Sequence, residues 1–455
     1  MKASVSSILA CVIFLFAFAK TQAANPTVAE VRQALGTDRG LFVVLGNDAW
    51  PLASALAKTT ELTILVQAAD AAAVARMQKQ AAVAGWLGSR VYVEHGGRRI
   101  HLARHMADGV VTGADADAAE LARVVRPKGA IFINGKLTRA KAVAGLGDWS
   151  HPYHGPDNNP QADDTVAKGP YLTRFLATPY YGPMPEVTVT AGGRIFKAFG
   201  HVSYKEREWP MLNKLICLNG FNGTILWERK LKPGYLIHRN AMVATADALY
   251  LSDNDSCKII DPATGKVRDE IVLTKKDGGP GWKWMALHEG VLYALVGKKD
   301  PLDPTLKGTR TQSGWPWSGM GKGYGKTGEK YEWGFGRTLV AIDLETKKML
   351  WTRPEPEAID SRAMVMRGGK IFLYAHGKYL LAVNTVTGGN YWKSSDKKLL
   401  DAIGPHGRAW WRWMRKPANC CGNARTATCN SSFDRKAFTR WAAPSATTAR
   451  SRTRA

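Results

Sequence analysis

A short phrase that recurs four times in the second half of the chain constrains the fold more than any other feature. It consists of a small residue, an Asp or Asn, a Thr-Gly pair three and four residues later, and a closing Trp, with some variation among copies. The copies span residues 218–227, 259–269, 341–351 and 382–392. Their last positions are spaced by 42, 82 and 41 residues. A period near 41 residues built from short strands predicts a β-propeller.

Each phrase has the chemistry of a tight turn followed by an outer strand. The Asp or Asn side chain caps such a turn, and Gly supplies the positive φ that closes it. Three copies then place an indole on the following strand, at Trp227, Trp351 and Trp392, whereas the second copy has Asp269 there. A large flat ring at that position can pack against the neighbouring sheet, so we expect the three tryptophans to join blade to blade.

The repeat resembles the tryptophan-docking repeat of the quinoprotein (PQQ-dependent dehydrogenase-like) propellers, which the outer-membrane assembly propeller lipoprotein shares. The resemblance implies all-β propeller blades over residues 185–405, with about four blades recognisable in a ring that the family closes with eight. The same propeller type carries both enzymes and scaffolds, so the resemblance implies a fold more than an activity.

The 82-residue gap between the second and third copies indicates an insertion within one blade. Residues 290–296 and 338–343 have strand patterns, and we expect them to pair. The segment 297–335 is rich in Gly, Lys, Trp and Tyr and lacks a strand pattern. An aromatic loop at a propeller rim suits a protein or polysaccharide partner.

Residues 27–145 have a different pattern, in which apolar strands alternate with amphipathic helices. This alternation predicts a parallel, Rossmann-like α/β sheet. The order of the elements and the phrase at residues 121–129 resemble the class I S-adenosylmethionine methyltransferase fold. The resemblance implies a cofactor site at the strand ends, carried by Gly46, Gln67 and Glu94.

The nucleotide loop of this first domain is degenerate. Gly46 stands where several glycines normally bring the backbone close to a nucleotide, and the bulky Trp50 follows it. The second strand ends in Gln67 instead of an acid. We interpret the domain as a structural or small-ligand-binding relict, with S-adenosylmethionine binding and methyl transfer as alternatives.

Residues 146–184 join the two parts as a Pro-rich ordered loop or linker. Its densest polar stretch contains His151, His154, Asp157 and Asn158. Two His residues with an Asp nearby can bind a metal or exchange protons. The interpretation we favour is that these side chains satisfy loop backbone and seal the propeller against the first domain, and no metal site is predicted.

The first 23 residues have the composition of a signal peptide. Lys2 precedes a twelve-residue apolar core, and small residues follow at the cleavage position. The core is shorter than the ~20 residues of a membrane span, and no later segment has the apolar length for one. We therefore expect a periplasmic or secreted protein with no transmembrane segment after signal removal. In an oxidising compartment Cys217 and Cys257 can form a disulfide or remain two buried thiols.

Residues 406–455 differ abruptly from the rest of the chain. They contain eleven Lys or Arg, one acid, four Trp and three Cys, but no Val, Ile, Leu or Tyr. Such a basic tail cannot form propeller strands, and we interpret it as out-of-frame translation or a disordered segment. The alternative is a genuine basic tail that binds an acidic surface or nucleic acid. Because the tail holds ten of the formal net charge of +25, that charge does not indicate nucleic-acid binding.

Export, the repeat and the aromatic insertion together predict a non-catalytic binding or scaffold protein that recognises a polymer or protein partner. The first alternative is a PQQ-dependent alcohol or sugar dehydrogenase, which requires a central acid and an oxygen-rich calcium site. Such a set cannot be assembled from identifiable positions, and the nearest run, residues 253–255, is typical of a turn. The second alternative is methyl transfer by the first domain. No cofactor is firmly predicted, although the two resemblances imply PQQ with calcium or S-adenosylmethionine.

Overall fold

The structure is a computed structural model that describes residues 25–113, 116–167, 176, 187–200, 203, 205–235, 237–300, 302 and 334–403. The proposed signal peptide (1–23), most of the inserted loop and the aberrant tail (406–455) lie outside these described residues, as does part of the junction. The chain divides into two compact units, Met1–Leu400 and Asp401–Ala455. All the strands given below belong to the first unit.

The N-terminal domain is a six-stranded α/β sheet with the strand order β3-β2-β1-β4-β5-β6. The first five strands run parallel, and β6 pairs antiparallel with β5. The strands are β1 (Leu41–Leu45), β2 (Thr63–Ala68), β3 (Val91–His95), β4 (Ala107–Thr112), β5 (Val125–Ile133) and β6 (Lys136–Arg139). The helices are α1 (Val28–Leu35), α2 (Trp50–Thr59), α3 (Ala71–Val83) and α4 (Ala118–Val124).

Capping residues begin the helices of this domain at defined positions. Thr27 and Glu30 form a reciprocal capping box on α1, and the Asp70 carboxylate accepts the backbone N–H groups of Ala72 and Ala73 in α3. Strand β1 is apolar throughout and is buried over its first four residues, as expected for a central parallel strand covered on both faces. The alternation of strands and helices in this part of the sequence therefore predicts the parallel sheet correctly.

Four antiparallel four-stranded sheets follow, each built from consecutive strands. Blade 1 contains β7 (Val187–Ala191), β8 (Arg194–Phe199), β9 (Lys214–Asn219) and β10 (Ile225–Lys230). Blade 2 contains β11 (Met242–Ala244), β12 (Leu249–Ser252), β13 (Cys257–Ile260) and β14 (Val267–Ile271). Blade 3 contains β15 (Gly281–His288), β16 (Val291–Gly297), β17 (Phe335–Asp343) and β18 (Met349–Asp360). Blade 4 contains β19 (Met364–Arg367), β20 (Lys370–Ala375), β21 (Tyr379–Asn384) and β22 (Asn390–Ser394). These sheets confirm the predicted fold class, an α/β domain followed by propeller blades.

Strands β16 and β17 pair over Val291–Val296 and Thr338–Asp343 within blade 3. The residues between these strands therefore interrupt one blade instead of replacing a missing one. Both strands extend one residue into the segment 297–335, which lacks a strand pattern in the sequence, at Gly297 and Phe335. A helix, α5 (Lys397–Ile403), follows blade 4 inside the range 185–405 for which the repeat predicts blades.

Apolar residues of facing sheets form the cores between consecutive blades. Separate clusters of buried side chains join blades 1 and 2, blades 2 and 3, and blades 3 and 4. Cys217 lies in the first cluster and Cys257 in the second, and both are buried free thiols. Burial raises the pKa of each thiol, so both remain protonated.

Candidate functional site

The four closing positions of the repeat occupy equivalent places in the four blades. Each lies on the outer strand, opposite a residue of the third strand, and a bulge occurs beside it. The cross-strand pairs are Trp227 with Cys217, Asp269 with Ile259, Trp351 with Ala341, and Trp392 with Ala382. Three indoles thus lie beside small residues, while Asp269 lies beside a larger one.

Two of these tryptophans contact the turn of the next blade. Trp227 Nε1 donates a hydrogen bond to the carbonyl oxygen of Pro262 at 3.0 Å, and Trp351 Nε1 donates to that of Thr385 at 2.8 Å. Each ring also lies directly on the glycine of that turn. A Cβ added at Gly265 would lie 2.6 Å from the Trp227 ring, and one at Gly388 would lie 2.8 Å from the Trp351 ring. Glycine is required there because the indole occupies the space of a side chain.

The contact between blades 2 and 3 uses a different pair of residues at the same two positions. Asp269 replaces the Trp, and Lys347 replaces the Gly in the facing turn of blade 3. The two side chains form an ion pair. Lys347 keeps the positive φ of the turn, 57°, which is costly for a residue with a Cβ. In blade 4, Trp392 lies 6.5 Å, centroid to centroid, from Phe372 of its own sheet.

The candidate cofactor residues of the first domain lie at the carboxyl ends of three adjacent strands. Gly46 follows β1, Gln67 lies near the end of β2, and Glu94 lies near the end of β3. Gly46 has a φ of 127°, which only glycine adopts readily. The topology therefore brings the three residues to one edge of the sheet, where ligands of open α/β sheets bind.

The side chain of Gln67 fills this edge from within. Its Nε2 donates to the carbonyl oxygens of Arg99 at 2.7 Å and Gly97 at 3.3 Å. Its Oε1 accepts the backbone N–H of His101 at 3.0 Å. The residue is 2% exposed, and Glu94 is bonded to the ring of His101 at 2.7 Å. These groups hold the loop after β3 instead of facing a ribose, so S-adenosylmethionine does not fit the strand edge as it stands.

The junction forms a segment that contacts all four blades, and we call residues 149–158 the strap. Trp149 exchanges two backbone hydrogen bonds with Thr190 of β7, and the carbonyl of Ser150 accepts from Ala244 of β11. The carbonyl of Pro156 accepts from Met366 of β19. Together with His151, which contacts β15, the strap reaches the first strand of each blade in turn.

The four polar residues predicted as a candidate cluster are distributed along the strap. His151 Nε2 accepts the backbone N–H of Leu287 at 3.1 Å, and its Nδ1 is 2.8 Å from Ser150 Oγ. His154 Nε2 lies 3.4 Å from a carboxylate oxygen of Asp163. Asp157 Oδ1 accepts the N–H of Asn159. Asn158 Nδ2 donates to the carbonyl of Met364 at 2.9 Å. These contacts are all structural hydrogen bonds or ion pairs, and they do not assemble a metal site.

Burial of His151 determines its charge. The side chain is 4% exposed, and burial, followed by the nearby His154, lowers its pKa to about 3. The ring is therefore neutral at neutral pH and can accept the Leu287 N–H. Within the described part of the chain, no three His, Cys, Asp or Glu side chains group closely enough to hold a metal ion.

A buried polar cluster that sequence analysis missed lies where β15 begins. Asp300 bonds His238 Nε2 through Oδ2 at 2.5 Å and Lys283 Nζ through Oδ1 at 2.6 Å. The side-chain amide of Asn254 donates to the carbonyl oxygen of Asp300 through Nδ2 and accepts the Asp300 backbone N–H through Oδ1. The Lys283, Asp300 and His238 side chains are 1–3% exposed. Lys283 reaches the cluster because a bulge interrupts the pairing of β15 between Trp282 and Trp284.

The charges of this cluster compensate one another. Burial alone would raise the pKa of Asp300, but His238 and Lys283 lower it, so Asp300 is ionised. Burial lowers the pKa of His238. Calcium requires six to eight oxygen ligands, whereas both carboxylate oxygens here accept from N–H donors. PQQ with calcium therefore does not fit the cluster. The run 253–255 is a turn in which the Asp253 N–H bonds the Ser256 carbonyl.

Two open cavities are lined by described residues of the first unit. One, of about 610 Å³, lies between the N-terminal domain, the outer strand β10 of blade 1 and a turn of blade 2. Its charged residues already form ion pairs, Arg32 with Asp38 and Arg39 with Glu61. The other, which we call the blade 2–3 groove, has a volume of about 750 Å³. Its lining includes Asp247, Tyr250, His288, Glu289, Asp343 and Glu345.

No family model matches the chain, and no curated protein matches it. Solved structures resemble parts of it. A protein classed as an S-adenosyl-L-methionine-dependent methyltransferase from Methanococcus maripaludis matches 23% of this chain and 52% of its own, at 22% identity and a TM-score of 0.21. BamB from Moraxella catarrhalis matches 46% of this chain and 47% of its own, at 12% identity and a TM-score of 0.26. The Pan2 WD40 domain of Neurospora crassa matches 43% and 47%, at 8% identity and a TM-score of 0.26.

The chain thus spans about half the length of each of these three solved structures. Each likeness is local, and the fold class given above rests on the strand order of the five sheets. Among the helices of the described ranges, none is long and apolar enough to cross a membrane.

Proposed function

We propose that the chain is an exported, non-catalytic propeller protein. It binds a protein partner by accepting a Lys- and Arg-rich segment of that partner. The observation that carries the proposal is the blade 2–3 groove, an open cavity of about 750 Å³ with four carboxylates in its lining. The formal net charge of the chain is +25, so the groove is a local reversal of charge. Complementary charge favours a basic ligand and steers its approach.

The groove is built by turns that a rigid scaffold holds in place. Asp247 lies in the turn between β11 and β12, Glu289 between β15 and β16, and Asp343 at the end of β17. The strap contributes Ser150 and His151 to the same cavity. Loops fixed by packed strands are where binding residues concentrate in folds of this kind. A partner in the groove would contact two blades and the strap together.

The enzymatic alternatives have less support from the geometry. Methyl transfer requires a cofactor at the strand edge that Gln67 and the loop after β3 already fill. PQQ-dependent oxidation requires a calcium site, and the Asp300 carboxylate instead accepts from Lys283 and His238. Export is proposed from the composition of residues 1–23. A periplasmic or secreted location would separate the first domain from a cytoplasmic methyl donor.

Binding can be measured by fluorescence anisotropy with a fluorescein-labelled peptide of alternating Lys and Ser. We expect the full chain to bind this peptide more tightly than a matched Glu-Ser peptide, with an affinity that falls as salt is added. The double variant Asp247→Asn/Glu345→Gln should bind about tenfold more weakly, because two charge pairs of the order of 0.7 kcal/mol each are lost. The matched control is Glu206→Gln, an exposed carboxylate on blade 1, which should leave binding unchanged.

Equal affinity for the two peptides, or an equal loss of affinity in the groove and control variants, would show that the groove is not the binding site. If the chain bound a neutral oligosaccharide and not the peptide, the proposed partner would be a polysaccharide instead of a protein. Alcohol-dependent dye reduction after addition of PQQ and Ca²⁺ would overturn the non-catalytic proposal. Tight S-adenosylmethionine binding by calorimetry would restore the methyltransferase alternative.

A further inference from the structure

Two positions of the turn that ends β9 in blade 1 are buried, although the equivalent positions of the other blades are at least partly exposed. Asn222 occupies the position of Thr264, Thr346 and Thr387 in those blades. The three Thr residues are exposed, whereas Asn222 is 0% exposed. Asn219, at the Asp/Asn position of the same turn, is 2% exposed. The difference shows that the blade 1 turn is covered at these two positions, which the other blades leave at least partly accessible to solvent.

The covering group is Asp108 of β4 in the N-terminal domain. Its Oδ1 accepts from Asn219 Nδ2 at 2.6 Å, and its Oδ2 accepts from Asn222 Nδ2 at 3.0 Å. Asn222 Nδ2 also donates to the carbonyl of Met106 at 2.8 Å. Two amide side chains of the propeller thus meet one carboxylate of the first domain.

The same carboxylate is held from its own side by two further donors. Arg126 Nε donates to Oδ1 at 2.6 Å, and the backbone N–H of Leu41 donates to Oδ2 at 2.9 Å. Asp108 is 1% exposed. A buried carboxylate is costly unless it is paired and hydrogen-bonded. Asp108 therefore depends on donors from both domains, and losing either set leaves a buried charge short of partners.

We infer that the N-terminal domain caps the propeller by covering the free turn of its first blade. In blades 2 and 4 the equivalent turn is covered by an indole of the preceding blade, Trp227 or Trp351. No blade precedes blade 1 in the described part of the chain, and the N-terminal domain covers its turn with a carboxylate. Stacked repeats require such capping because each unit is stabilised by its neighbours. Asn219 and Asn222 provide the hydrogen-bond donors that a carboxylate needs. Gly265 and Gly388 instead leave the space that an indole needs.

This role goes beyond partner binding, and it needs no cofactor. It gives a methyltransferase-like domain with a filled strand edge a structural function in the chain. The inference makes the two domains thermodynamically coupled through Asp108, Asn219 and Asn222. Coupling of this kind is reciprocal, so a change on the propeller side must also be felt in the first domain.

Hydrogen exchange of the full chain, followed by mass spectrometry, tests the coupling. The first variant is Asn222→Thr, which introduces the residue found at this position in the other blades. We expect amide exchange to become about tenfold to hundredfold faster in residues 215–224 and also in residues 106–112 of β4, because a buried charge-assisted hydrogen bond is lost. The second variant is Asp108→Asn, which should affect the same two segments.

The double variant Asp108→Asn/Asn222→Thr should add little to either single change, because both remove the same contact. The matched control is Thr264→Asn, at the exposed equivalent position of the blade 2 turn, which should change exchange only in that turn. The inference is overturned if Asn222→Thr accelerates exchange in its own turn alone, or if the two changes are additive. Should Asp108→Asn unfold the first domain, Asn222→Thr still decides the question, since it alters only the propeller side.

Discussion

The contact between blades 2 and 3 offers the sharpest perturbation of the repeat, because Asp269 and Lys347 stand where neighbouring contacts have Trp and Gly. The exchange Asp269→Trp/Lys347→Gly would restore the pair found elsewhere. Asp269 faces Ile259, whereas Trp227 and Trp351 face Cys217 and Ala341. The test is therefore made in an Ile259→Ala background, which gives the new indole room.

The expected magnitude follows from three terms. The Asp269–Lys347 ion pair is roughly two-fifths exposed on each side, so its loss costs only about 0–1 kcal/mol. Lys347→Gly relieves a positive φ of 57°, a gain of about 1 kcal/mol. An indole that buries about 100 Å² against the turn contributes about 2–3 kcal/mol. Its Nε1 would find the carbonyl of Leu344, the counterpart of Pro262 and Thr385.

The Trp alone should not produce this gain. A Cβ at the docking glycine of the other blades would lie within 2.8 Å of the indole, so the Lys347 side chain should block the ring. A double-mutant cycle in the Ile259→Ala background compares the two single changes with the double change. It should give a favourable coupling of about 2 kcal/mol between positions 269 and 347. Opening free energies are measured by hydrogen exchange at the amides of β14 and of residues 343–348, which avoids assuming one global transition. Additive effects, or an Asp269→Trp variant as protected as the double variant, would refute the docking argument.

Three other predictions address buried polar groups. His151→Gln should flatten the dependence of unfolding free energy on pH between pH 6.5 and 4. The pKa of His151 is about 3 in the folded state and near 6.5 in the unfolded state. The contribution of the neutral ring to the unfolding free energy is therefore complete above pH 6.5 and falls by about 2 kcal/mol at pH 5. Urea unfolding at several pH values checks this, and an unchanged profile would show that His151 is not buried as described. Lys283→Met should destabilise the propeller by about 3–5 kcal/mol because the buried Asp300 carboxylate loses its lysine partner and keeps only His238. Lys283→Met/Asp300→Asn should recover much of that loss in thermal unfolding, and a double variant no better than the single one would contradict the pairing. Gln67→Ala should cost about 1–3 kcal/mol because three part-buried hydrogen bonds to the backbone of residues 97, 99 and 101 are lost. Limited proteolysis of that loop would detect the change, and an equally resistant loop would count against the bracing role.

The sequence was sufficient to predict the propeller because its repeat encodes local geometry. A turn residue, a glycine and an outer-strand side chain recur at fixed offsets, and the four equivalent strand registers follow from them. The exchange of Trp and Gly for Asp269 and Lys347 was also visible, as two departures from the pattern in consecutive units. The ion pair itself could not be predicted, because it joins residues 78 positions apart.

The polar clusters were not predictable for the same reason. Asp108 meets Asn219 across 111 positions, and Asp300 meets His238 across 62, with no periodicity to relate them. His238 stands apart from the other histidines in the sequence. The density of polar residues in the strap was evident, but its path across four blades depends on backbone hydrogen bonds that any residue type can make. Gln67 departed visibly from the acid expected after β2, although its bracing of the next loop required the structure.

The measurement that tests the proposed function most directly is a hydrogen-exchange footprint of the full chain with each ligand. With the Lys-Ser peptide, we expect slower exchange in residues 245–248, 287–290 and 343–346, the turns that line the blade 2–3 groove. With S-adenosylmethionine, we expect no change at residues 46–48, 67–70 and 94–101. Protection of the strand edge by S-adenosylmethionine, with the groove turns unaffected by the peptide, would contradict the account.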